Sequence, residues 1–398
     1  MNSVQLFENI HPQALALFGN NIQFAVQHHA KSFDGPDLAK YLQAANIVGI
    51  RSKTALTAEV LKNAPHLQAI GCFCIGTDQV DLAAATALGV PVFNAPYANT
   101  RSVAELVLGQ IIMLMRRVPE KSHAAHQGQW LKAVDGACEV RGKILGIVGY
   151  GHIGSQLSVL AEGLGMRVVY YDILPKLPLG NAVGFNSLAE LLAKADVITC
   201  HVPATPETEN MINAKALATM RVGSFLINAS RGLVVDLVAL KNALVSGHIA
   251  GAAIDVFPTE PQALGDVFIS PLQNLPNVVL TPHIGGSTME AQANIGRDVA
   301  EKLVRYMQTG QTVGAVNFPE IQLPLTAGTQ RLRHIHRNVP GVLGQINAIL
   351  AAQKINIAAQ ALQTQGNLGY VVMDIEGVPD MVALRQAMSA IEGTIRVA

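Results

Sequence analysis

Residues 144–154 read Ile-Leu-Gly-Ile-Val-Gly-Tyr-Gly-His-Ile-Gly, and this stretch decides the fold. The apolar run 144–148 predicts a buried strand, and Gly149, Gly151 and Gly154 follow it as G-x-G-x-x-G at the start of a predicted helix. The first glycine permits a tight turn, the second lets the backbone approach a pyrophosphate, and the third lets helix and strand pack closely. N–H groups at a helix start bind phosphates, so the order favours a dinucleotide site over an ordinary glycine-rich turn.

Asp172 follows the next predicted strand, 167–171. A carboxylate there accepts hydrogen bonds from both ribose hydroxyls of NAD and repels the additional 2′-phosphate of NADP. The alternative is an aspartate that only caps a helix. With the loop, strand and helix in the required order, we expect NAD to be the cofactor.

Outward from this loop, short apolar runs alternate with stretches of helical periodicity. The predicted strands are 46–50, 67–75, 90–93, 144–148, 167–171, 197–201, 224–228, 251–256 and 278–282. The predicted helices are 37–45, 57–64, 81–88, 102–117, 153–163, 187–193, 214–220, 236–246 and 289–306. This alternation predicts an α/β fold, with a doubly wound domain of six parallel strands in its second part. After a linker at 319–329, the order βαββαβ predicts a ferredoxin-like module over 330–398.

Composition points to small-molecule chemistry. The chain has 398 residues, and its 28 basic and 28 acidic residues give zero net charge, which provides no footprint for nucleic acid or an acidic membrane. Its four cysteines are too few for a disulfide framework, and no cluster has metal-ligand spacing. The longest apolar stretch, 106–115, is too short to span a bilayer. With no secretory signal pattern, we expect a cytoplasmic protein.

Three charged or titratable residues follow the ends of predicted strands, at the edge where open α/β sheets bind ligands. His283 suits a general base because imidazole titrates near neutral pH. Glu260 can bond the other ring nitrogen and stabilise the imidazolium, and Arg231 can hold a substrate carboxylate. Taken singly, each has an alternative: a structural histidine, an exposed turn glutamate between prolines, and an arginine that caps a strand end.

The segments 228–232, 255–261 and 281–286 resemble the signatures of the D-isomer-specific 2-hydroxyacid dehydrogenase family. This resemblance implies that Arg231, Glu260 and His283 are catalytic. It also implies a Rossmann-type NAD domain, 99–286, inserted in a flavodoxin-like substrate domain made of 1–98 and 287–318. The cofactor contacts that it implies, beyond the glycines of the loop and Asp172, are His152, Ile153, Ala229, Ser230, Arg231, Asp255, His283, Gly285 and Gly286.

Arg51-Ser52-Lys53-Thr54 is a compact cluster of cations and hydroxyls after a predicted strand. It suits a phosphate, and the alternative is a solvated loop. The segments 51–54, 71–81 and 93–105 are similar to those of family members that oxidise 3-phosphoglycerate to 3-phosphohydroxypyruvate in serine synthesis. This similarity implies substrate contacts at Arg51, Ser52 and Asn99 with Lys53 nearby, where relatives often have arginine. It also implies that Trp130 and Lys132 approach a neighbouring subunit. Some such family members also reduce 2-oxoglutarate to 2-hydroxyglutarate, and the residues of this chain leave that side activity open.

Residues 330–398 resemble an ACT domain, a module that senses amino acids. The resemblance implies that L-serine is the effector, bound by His336 and Asn338 of one subunit and Asn356 of another, in a homo-oligomer that we expect to be a tetramer. Two other functions remain open at this point. One is a glyoxylate or hydroxypyruvate reductase of the same family, which usually lacks such a module. The other is a non-enzymatic NAD-sensing binding protein on the same scaffold.

Overall fold

The computed structural model describes residues 1–20, 23–261, 265–377 and 380–398, and the chain forms two compact units. One unit comprises Met1–Ala98 and Gln292–Ala398, and the other comprises Asn99–Ala291. The second unit is therefore an insertion within the sequence of the first. Among the described residues, no helix combines the length and the apolar character needed to cross a bilayer.

The first unit begins with a parallel sheet of five strands in the order β2-β1-β3-β4-β5, the flavodoxin-like order. Its elements are β1 (Asn2–Leu6), α1 (Pro12–Gly19), β2 (Phe24–His28), α2 (Gly35–Leu42), β3 (Ile47–Ile50), α3 (Ala58–Lys62), β4 (Ala69–Cys72), α4 (Leu82–Ala87) and β5 (Val92–Phe93). The strands from β3 onwards agree with the sequence prediction. The strands β1 and β2 were not predicted, because each is short and mixes polar with apolar residues.

The second unit contains a parallel sheet of seven strands in the order β12-β11-β10-β9-β6-β7-β8. Its elements are α5 (Thr100–Met115), α6 (Val118–His126), β6 (Ile144–Val148), α7 (His152–Gly163), β7 (Arg167–Tyr171), β8 (Val183–Gly184), α8 (Leu188–Lys194), β9 (Val197–Cys200), α9 (Ala214–Thr219), β10 (Ser224–Asn228), α10 (Leu237–Val245), β11 (Ile249–Ile254) and β12 (Val278–Leu280). This is the Rossmann order with a further strand at one edge. The prediction of six strands was wrong by one, because β8 has two exposed residues and no apolar pattern.

Helices cover both faces of the seven-stranded sheet. On one face, α5 and α7 pack against residues such as Leu145, Ile147 and Ile227, and on the other α8, α9 and α10 pack against residues such as Ile198 and Leu226. Burial on both faces explains why these strands are almost continuous runs of apolar residues. The segments that carry Arg231, Glu260 and His283 follow β10, β11 and β12 of this sheet.

A long helix, α11 (Met289–Thr309), returns the chain to the first unit. Its apolar face, including Val299, Leu303 and Tyr306, joins the same buried cluster as Val4 and Phe93 of the five-stranded sheet. A Cβ at Gly71 in β4 would collide with Leu303 and Val299. Glycine there allows the helix to approach the sheet closely.

The carboxyl-terminal part is a four-stranded antiparallel sheet in the order β14-β15-β13-β16, covered by two helices. Its elements are β13 (Gln330–Arg337), α12 (Val342–Ala352), β14 (Ile357–Gln365), β15 (Leu368–Ile375), α13 (Met381–Ser389) and β16 (Thr394–Val397). This confirms the predicted βαββαβ order. The predicted start of the second helix, Pro379, lies outside the described residues.

The antiparallel sheet has apolar side chains on both faces. One face packs under α12 and α13, whereas Ile335, Tyr370 and Val372 on the other face belong to the cluster that contains α11. The segment 319–329 has no helix or strand, yet Arg331 donates to the carbonyls of Leu323 and Pro324 at 2.8 and 2.9 Å. The ACT-like module and the flavodoxin-like sheet thus share one core.

Candidate active site

The three glycines of the loop after β6 meet three different requirements. Gly149 has a φ of 93°, and a Cβ there would collide with the carbonyl of His201. A Cβ at Gly154 would strike the carbonyl of Gly149, but a Cβ at Gly151 would meet nothing within 4 Å. The middle glycine therefore faces open space, where a phosphate can approach the backbone.

The first turn of α7 is not capped by a side chain. Its N-cap is Gly151, and His152 and Ile153 follow as the first helical residues. The positive end of the helix dipole therefore lies beside the glycine loop, where it favours an anion. These residues fit the pyrophosphate of a dinucleotide.

The carboxylate of Asp172 is bonded to the phosphate loop. Its Oδ2 accepts from the N–H of Tyr150 at 2.8 Å, and its Oδ1 accepts from the N–H of Leu174 at 2.9 Å. Lys176 lies 4.0 Å from the same carboxylate. The residue that the sequence singled out for NAD therefore also holds the glycine loop in place.

His283 and Glu260 form a direct pair, with 2.8 Å between Nδ1 of the imidazole and Oε2 of the carboxylate. This hydrogen bond raises the pKa of His283 above its ordinary value, against the opposing effect of burial. Burial alone would raise the pKa of Glu260, but the bonds from His283 and from the N–H of Phe257 hold it below its usual value. The pair therefore favours an imidazolium beside a carboxylate, the state that a base reaches after it takes a proton.

Arg231 contributes positive charge to this pair, because its guanidinium lowers the pKa of both His283 and Glu260. The next residue, Gly232, packs on the backbone of Phe257 and Pro258, and a Cβ there would collide with that backbone. Glycine at this position allows the segment that carries Arg231 to lie against the segment that leads to Glu260. The structure thus brings together the three residues predicted from separate motifs.

Asn228, at the end of β10, shapes the segment that carries Ala229, Ser230 and Arg231. Its Oδ1 accepts from the N–H and the hydroxyl of Ser230 at 3.1 and 2.8 Å, and its Nδ2 donates to the carbonyl of Arg231 at 3.0 Å. Asn228 is completely buried. Sequence reasoning quoted this residue but gave it no role.

Asp255 organises the segment that carries His283. Its carboxylate accepts from the hydroxyl of Thr281 at 2.6 Å and from the N–H groups of Ile284 and Gly285 at 2.9 and 2.8 Å. Its carbonyl accepts from the N–H of His283 at 2.8 Å. Asp255 thus fixes the segment that carries His283.

Two buried polar atoms near these segments have no hydrogen-bond partner among the described residues. One is Oδ1 of Asn99, and a Cβ at Gly286 would collide with the Nδ2 atom of the same side chain. The other is Nδ1 of His201, which follows β9 and whose pKa burial lowers to about 4. A buried atom without a partner is costly, so both atoms fit a ligand group. The sequence gave no signal for His201 because nothing in its pattern separates it from other histidines at strand ends.

The cationic cluster lies in the first unit, after β3. Arg51 is half-buried, Ser52 and Lys53 are exposed, and Thr54 is buried. The buried carboxylate of Glu8 accepts from the N–H groups of Arg51, Lys53 and Thr54 at 3.1, 2.9 and 2.8 Å. Sequence reasoning missed Glu8, because only the fold brings it to a loop more than forty residues away.

The residues implied for an effector lie at two ends of the antiparallel sheet. Asn338 donates to the carbonyl of Gly366 at 3.2 Å, at the turn that joins β14 to β15, and His336 is buried beside Gly369. Asn356 donates to Glu376 at 2.7 Å, at the opposite end of β14. The nine residues of β14 separate the two ends by about 30 Å. Asn338 and Asn356 of one chain therefore cannot bind the same small molecule.

Known proteins share both parts of this architecture. The profile of the D-isomer specific 2-hydroxyacid dehydrogenase NAD binding domain matches residues 108–285, and that of the AHAS small subunit-like ACT domain matches residues 332–396. A D-3-phosphoglycerate dehydrogenase of Haemophilus influenzae is 54% identical over 391 residues, which are 98% of this chain and 95% of that protein. One of Escherichia coli K12 is 55% identical over 392 residues, with the same coverage.

The chain belongs to the D-3-phosphoglycerate dehydrogenase family. Membership makes it an NAD-dependent dehydrogenase and sets aside the alternative of a non-enzymatic NAD sensor. Among solved structures, the D-lactate dehydrogenase of Aquifex aeolicus, complexed with NAD and lactic acid, has a TM-score of 0.69 at 26% identity. The match covers 80% of this chain and 100% of the lactate dehydrogenase chain. This agrees with the Rossmann and flavodoxin-like sheets described above. The ACT profile accounts for the remaining carboxyl-terminal part.

Proposed function

We propose that this chain oxidises 3-phospho-D-glycerate to 3-phosphohydroxypyruvate with NAD, the first step of L-serine biosynthesis. The observation that carries the proposal is the hydrogen-bonded pair of His283 and Glu260, beside Arg231, in a chain whose relatives along almost its whole length are D-3-phosphoglycerate dehydrogenases. A base of this kind suits the removal of a hydroxyl proton. The family gives the identity of the hydroxy acid.

In the proposed reaction, His283 takes the proton of the substrate hydroxyl at Nε2, because Nδ1 is bonded to Glu260. Glu260 fixes the tautomer and stabilises the imidazolium that forms. Arg231 holds the substrate carboxylate and polarises the reacting oxygen. The loop Gly149–Gly154 and Asp172 would hold NAD, which would supply the hydride acceptor.

We assign the phosphate to the loop with Arg51, Ser52 and Lys53, and a further substrate contact to Asn99. The exposed cation and hydroxyl after β3 support the assignment, and so does the unpartnered Oδ1 of Asn99. Lys53 offers a point charge rather than the planar fork of arginine. Its contribution to phosphate binding is therefore not bidentate.

The decisive experiment follows NADH absorbance with 3-phosphoglycerate and NAD, and compares it with the reduction of glyoxylate, hydroxypyruvate and 2-oxoglutarate. We expect efficient turnover of 3-phosphoglycerate, with 2-oxoglutarate as a side substrate. Efficient reduction of glyoxylate or hydroxypyruvate, without oxidation of 3-phosphoglycerate, would make the chain a reductase of the wider family instead.

We further propose feedback inhibition by L-serine, bound between two ACT domains in a cytoplasmic homotetramer. The separation of Asn338 and Asn356 along β14 supports a site that needs two chains, with His336 and Asn338 from one and Asn356 from the other. Light scattering should give four subunits. Asn356→Ala should abolish serine inhibition and leave uninhibited turnover unchanged, whereas intact inhibition would refute the site.

A further inference from the structure

The backbone of the loop 51–54 is hydrogen-bonded by the side chain of Glu8, a residue that belongs to none of the sequence motifs. Glu8 follows β1, is only 8% exposed, and has a φ of 65°. Asn9 after it also has a positive φ, of 54°. Residues other than glycine rarely adopt this conformation, although asparagine does so more readily than glutamate, and such residues persist where the surroundings over-determine the backbone. The left-handed Glu8 therefore indicates that its surroundings hold the chain in this turn.

The turn directs the Glu8 carboxylate at three of the four amides of the loop. Oε1 accepts from Arg51 at 3.1 Å and from Thr54 at 2.8 Å, and Oε2 accepts from Lys53 at 2.9 Å. The main-chain carbonyl of Glu8 also accepts from Nη1 of Arg51 at 3.4 Å. Hydrogen bonds to a carboxylate are among the stronger ones in proteins, so this residue defines the backbone path of the loop.

A second side chain fixes the loop through a carbonyl. Nε2 of Gln79 donates to the carbonyl of Arg51 at 2.6 Å and contacts Sγ of Cys74 at 3.2 Å. Glu8 bonds the amides and Gln79 bonds a carbonyl. The amide of Ser52 is left as the one of the four for which the described residues offer no partner.

This arrangement separates the loop into a bonded inner side and an exposed outer side. With three amides engaged by Glu8, an anion meets the Ser52 amide and hydroxyl and the cationic side chains of Arg51 and Lys53. We propose that Glu8 is a positioning residue for the substrate anion, acting through the backbone of residues 51–54. The inference rests on the proposed function for the identity of that anion.

The test compares Glu8→Gln with Glu59→Gln, a control that changes an exposed glutamate on α3 in the same unit. Glutamine at position 8 keeps one acceptor oxygen and places an amide N–H₂ against an N–H donor. We expect the KM for 3-phosphoglycerate to rise by roughly 10–100-fold, with a much smaller change in kcat. The Kd for NADH, measured by fluorescence, should stay constant, since the loop at Gly149–Gly154 lies in the other unit. The control should leave KM, kcat and Kd at their original values.

Hydrogen exchange measured by mass spectrometry on the whole protein tests the backbone directly. The amides of 51–54 should be protected in the original protein and should exchange faster in Glu8→Gln. Two results overturn the inference and leave the proposed function intact. One is faster exchange in Glu8→Gln with an unchanged KM, and the other is unchanged exchange. If Glu8→Gln does not fold, as judged by circular dichroism, Glu8→Asp replaces it. Aspartate keeps the charge but shortens the reach, so the same rise in KM is expected.

Failure of the proposed function gives a different result, namely no turnover of 3-phosphoglycerate by the original protein. The probe is then inorganic phosphate. The inference holds if phosphate slows exchange of the 51–54 peptide in the original protein but not in Glu8→Gln. It is overturned if phosphate protects both proteins equally or protects neither.

Discussion

At the scale of single residues, His283 is held by its backbone as well as by its side chain. Its φ is 53°, and its N–H donates to the carbonyls of Asp255 and Thr281 at 2.8 and 3.0 Å. A left-handed histidine at a ligand-binding sheet edge is typical of a strained functional site. The hydrogen bond from Nδ1 to Glu260 at 2.8 Å holds the ring in addition.

His283→Ala should lower kcat by roughly 10²–10⁴-fold, the usual contribution of a positioned acid–base group. His66→Ala, which removes an exposed imidazole in the first unit, serves as the control and should leave kcat unchanged. Steady-state kinetics at saturating NAD measure both. Near-normal turnover by His283→Ala would remove the histidine from the mechanism.

Glu260→Gln should shift the pH dependence of the reaction. Oxidation needs neutral His283, so kcat/KM rises as pH passes through the pKa of that residue. The hydrogen bond to Glu260 raises this pKa, and its loss should move the rise to lower pH while kcat falls because the imidazolium loses its partner. A profile measured in the oxidative direction should show both changes. If the rise of kcat/KM occurs at the same pH in both proteins, the result contradicts the proposal that Glu260 raises the pKa of His283.

Asp172→Ala should narrow the preference for NAD over NADP. The change removes the charge that repels a 2′-phosphate, and it also removes the acceptor for the Tyr150 amide in the phosphate loop. The value of kcat/KM with NAD should therefore fall, and the ratio of kcat/KM with NADP to kcat/KM with NAD should rise. If this ratio is unchanged, Asp172 only holds the loop.

At the scale of elements, the contact between two active-site segments depends on the missing side chain of Gly232. Gly232→Ala forces a methyl group against the backbone of Phe257 and Pro258. We expect a loss of about 1–3 kcal/mol in unfolding free energy, together with lower kcat, because the segment with Arg231 must move. Gly109→Ala in α5, where a Cβ meets nothing within 4 Å, is the control and should not lower stability. Chemical denaturation distinguishes the two variants.

The sequence correctly predicted those elements that a continuous stretch of residues defines. The β6 strand, the glycine loop and α7 are contiguous, so the pattern within residues 144–163 is enough to predict all three. The β1, β2 and β8 strands are short and lack a clear apolar alternation, so the pairing of β1 with β3 became visible only in three dimensions.

The residues of the candidate active site also divide into those that a local motif marks and those that only the folded structure reveals. Arg231, Glu260 and His283 lie in recognisable segments, and the structure brings Glu260 into contact with His283. Glu8, Asn228 and His201 act through contacts that join separate parts of the fold or through burial at a strand end. No local pattern marks a residue of that kind.

At the scale of the whole chain, a buried ion pair inside the ACT module also forms hydrogen bonds to the segment that precedes the module. Arg331 is paired with the fully buried Asp374 at 2.7 Å and also donates to the carbonyl of Thr309. Burial alone would raise the pKa of Asp374, but the bonds from Arg331 and Thr326 hold it below the usual value. The stabilisation is therefore complete above the pKa that Asp374 has in the unfolded chain, and it is lost as pH falls through the lower, folded value.

Arg331→Met should lower the unfolding free energy by about 3–5 kcal/mol at neutral pH, because it leaves the carboxylate of Asp374 buried without its partner. Its stability should fall less on acidification than that of the original protein. The double change Arg331→Met with Asp374→Leu should recover a large part of the loss. Urea unfolding at several pH values measures all three proteins, and a single variant as stable as the original would contradict the account.

The insertion of one unit within the other also has a consequence for synthesis on the ribosome. The backbone of Val92 in β5 bonds to Val316 and to the side chain of Asn317, which are translated only after residues 99–291. At about 5–20 residues per second, the amino-terminal sheet waits on the order of ten to forty seconds for the helix and strand partners that cover it. The cofactor-binding unit is continuous and can fold during that interval, so the nascent chain exposes its first sheet, rather than its Rossmann domain, to chaperones.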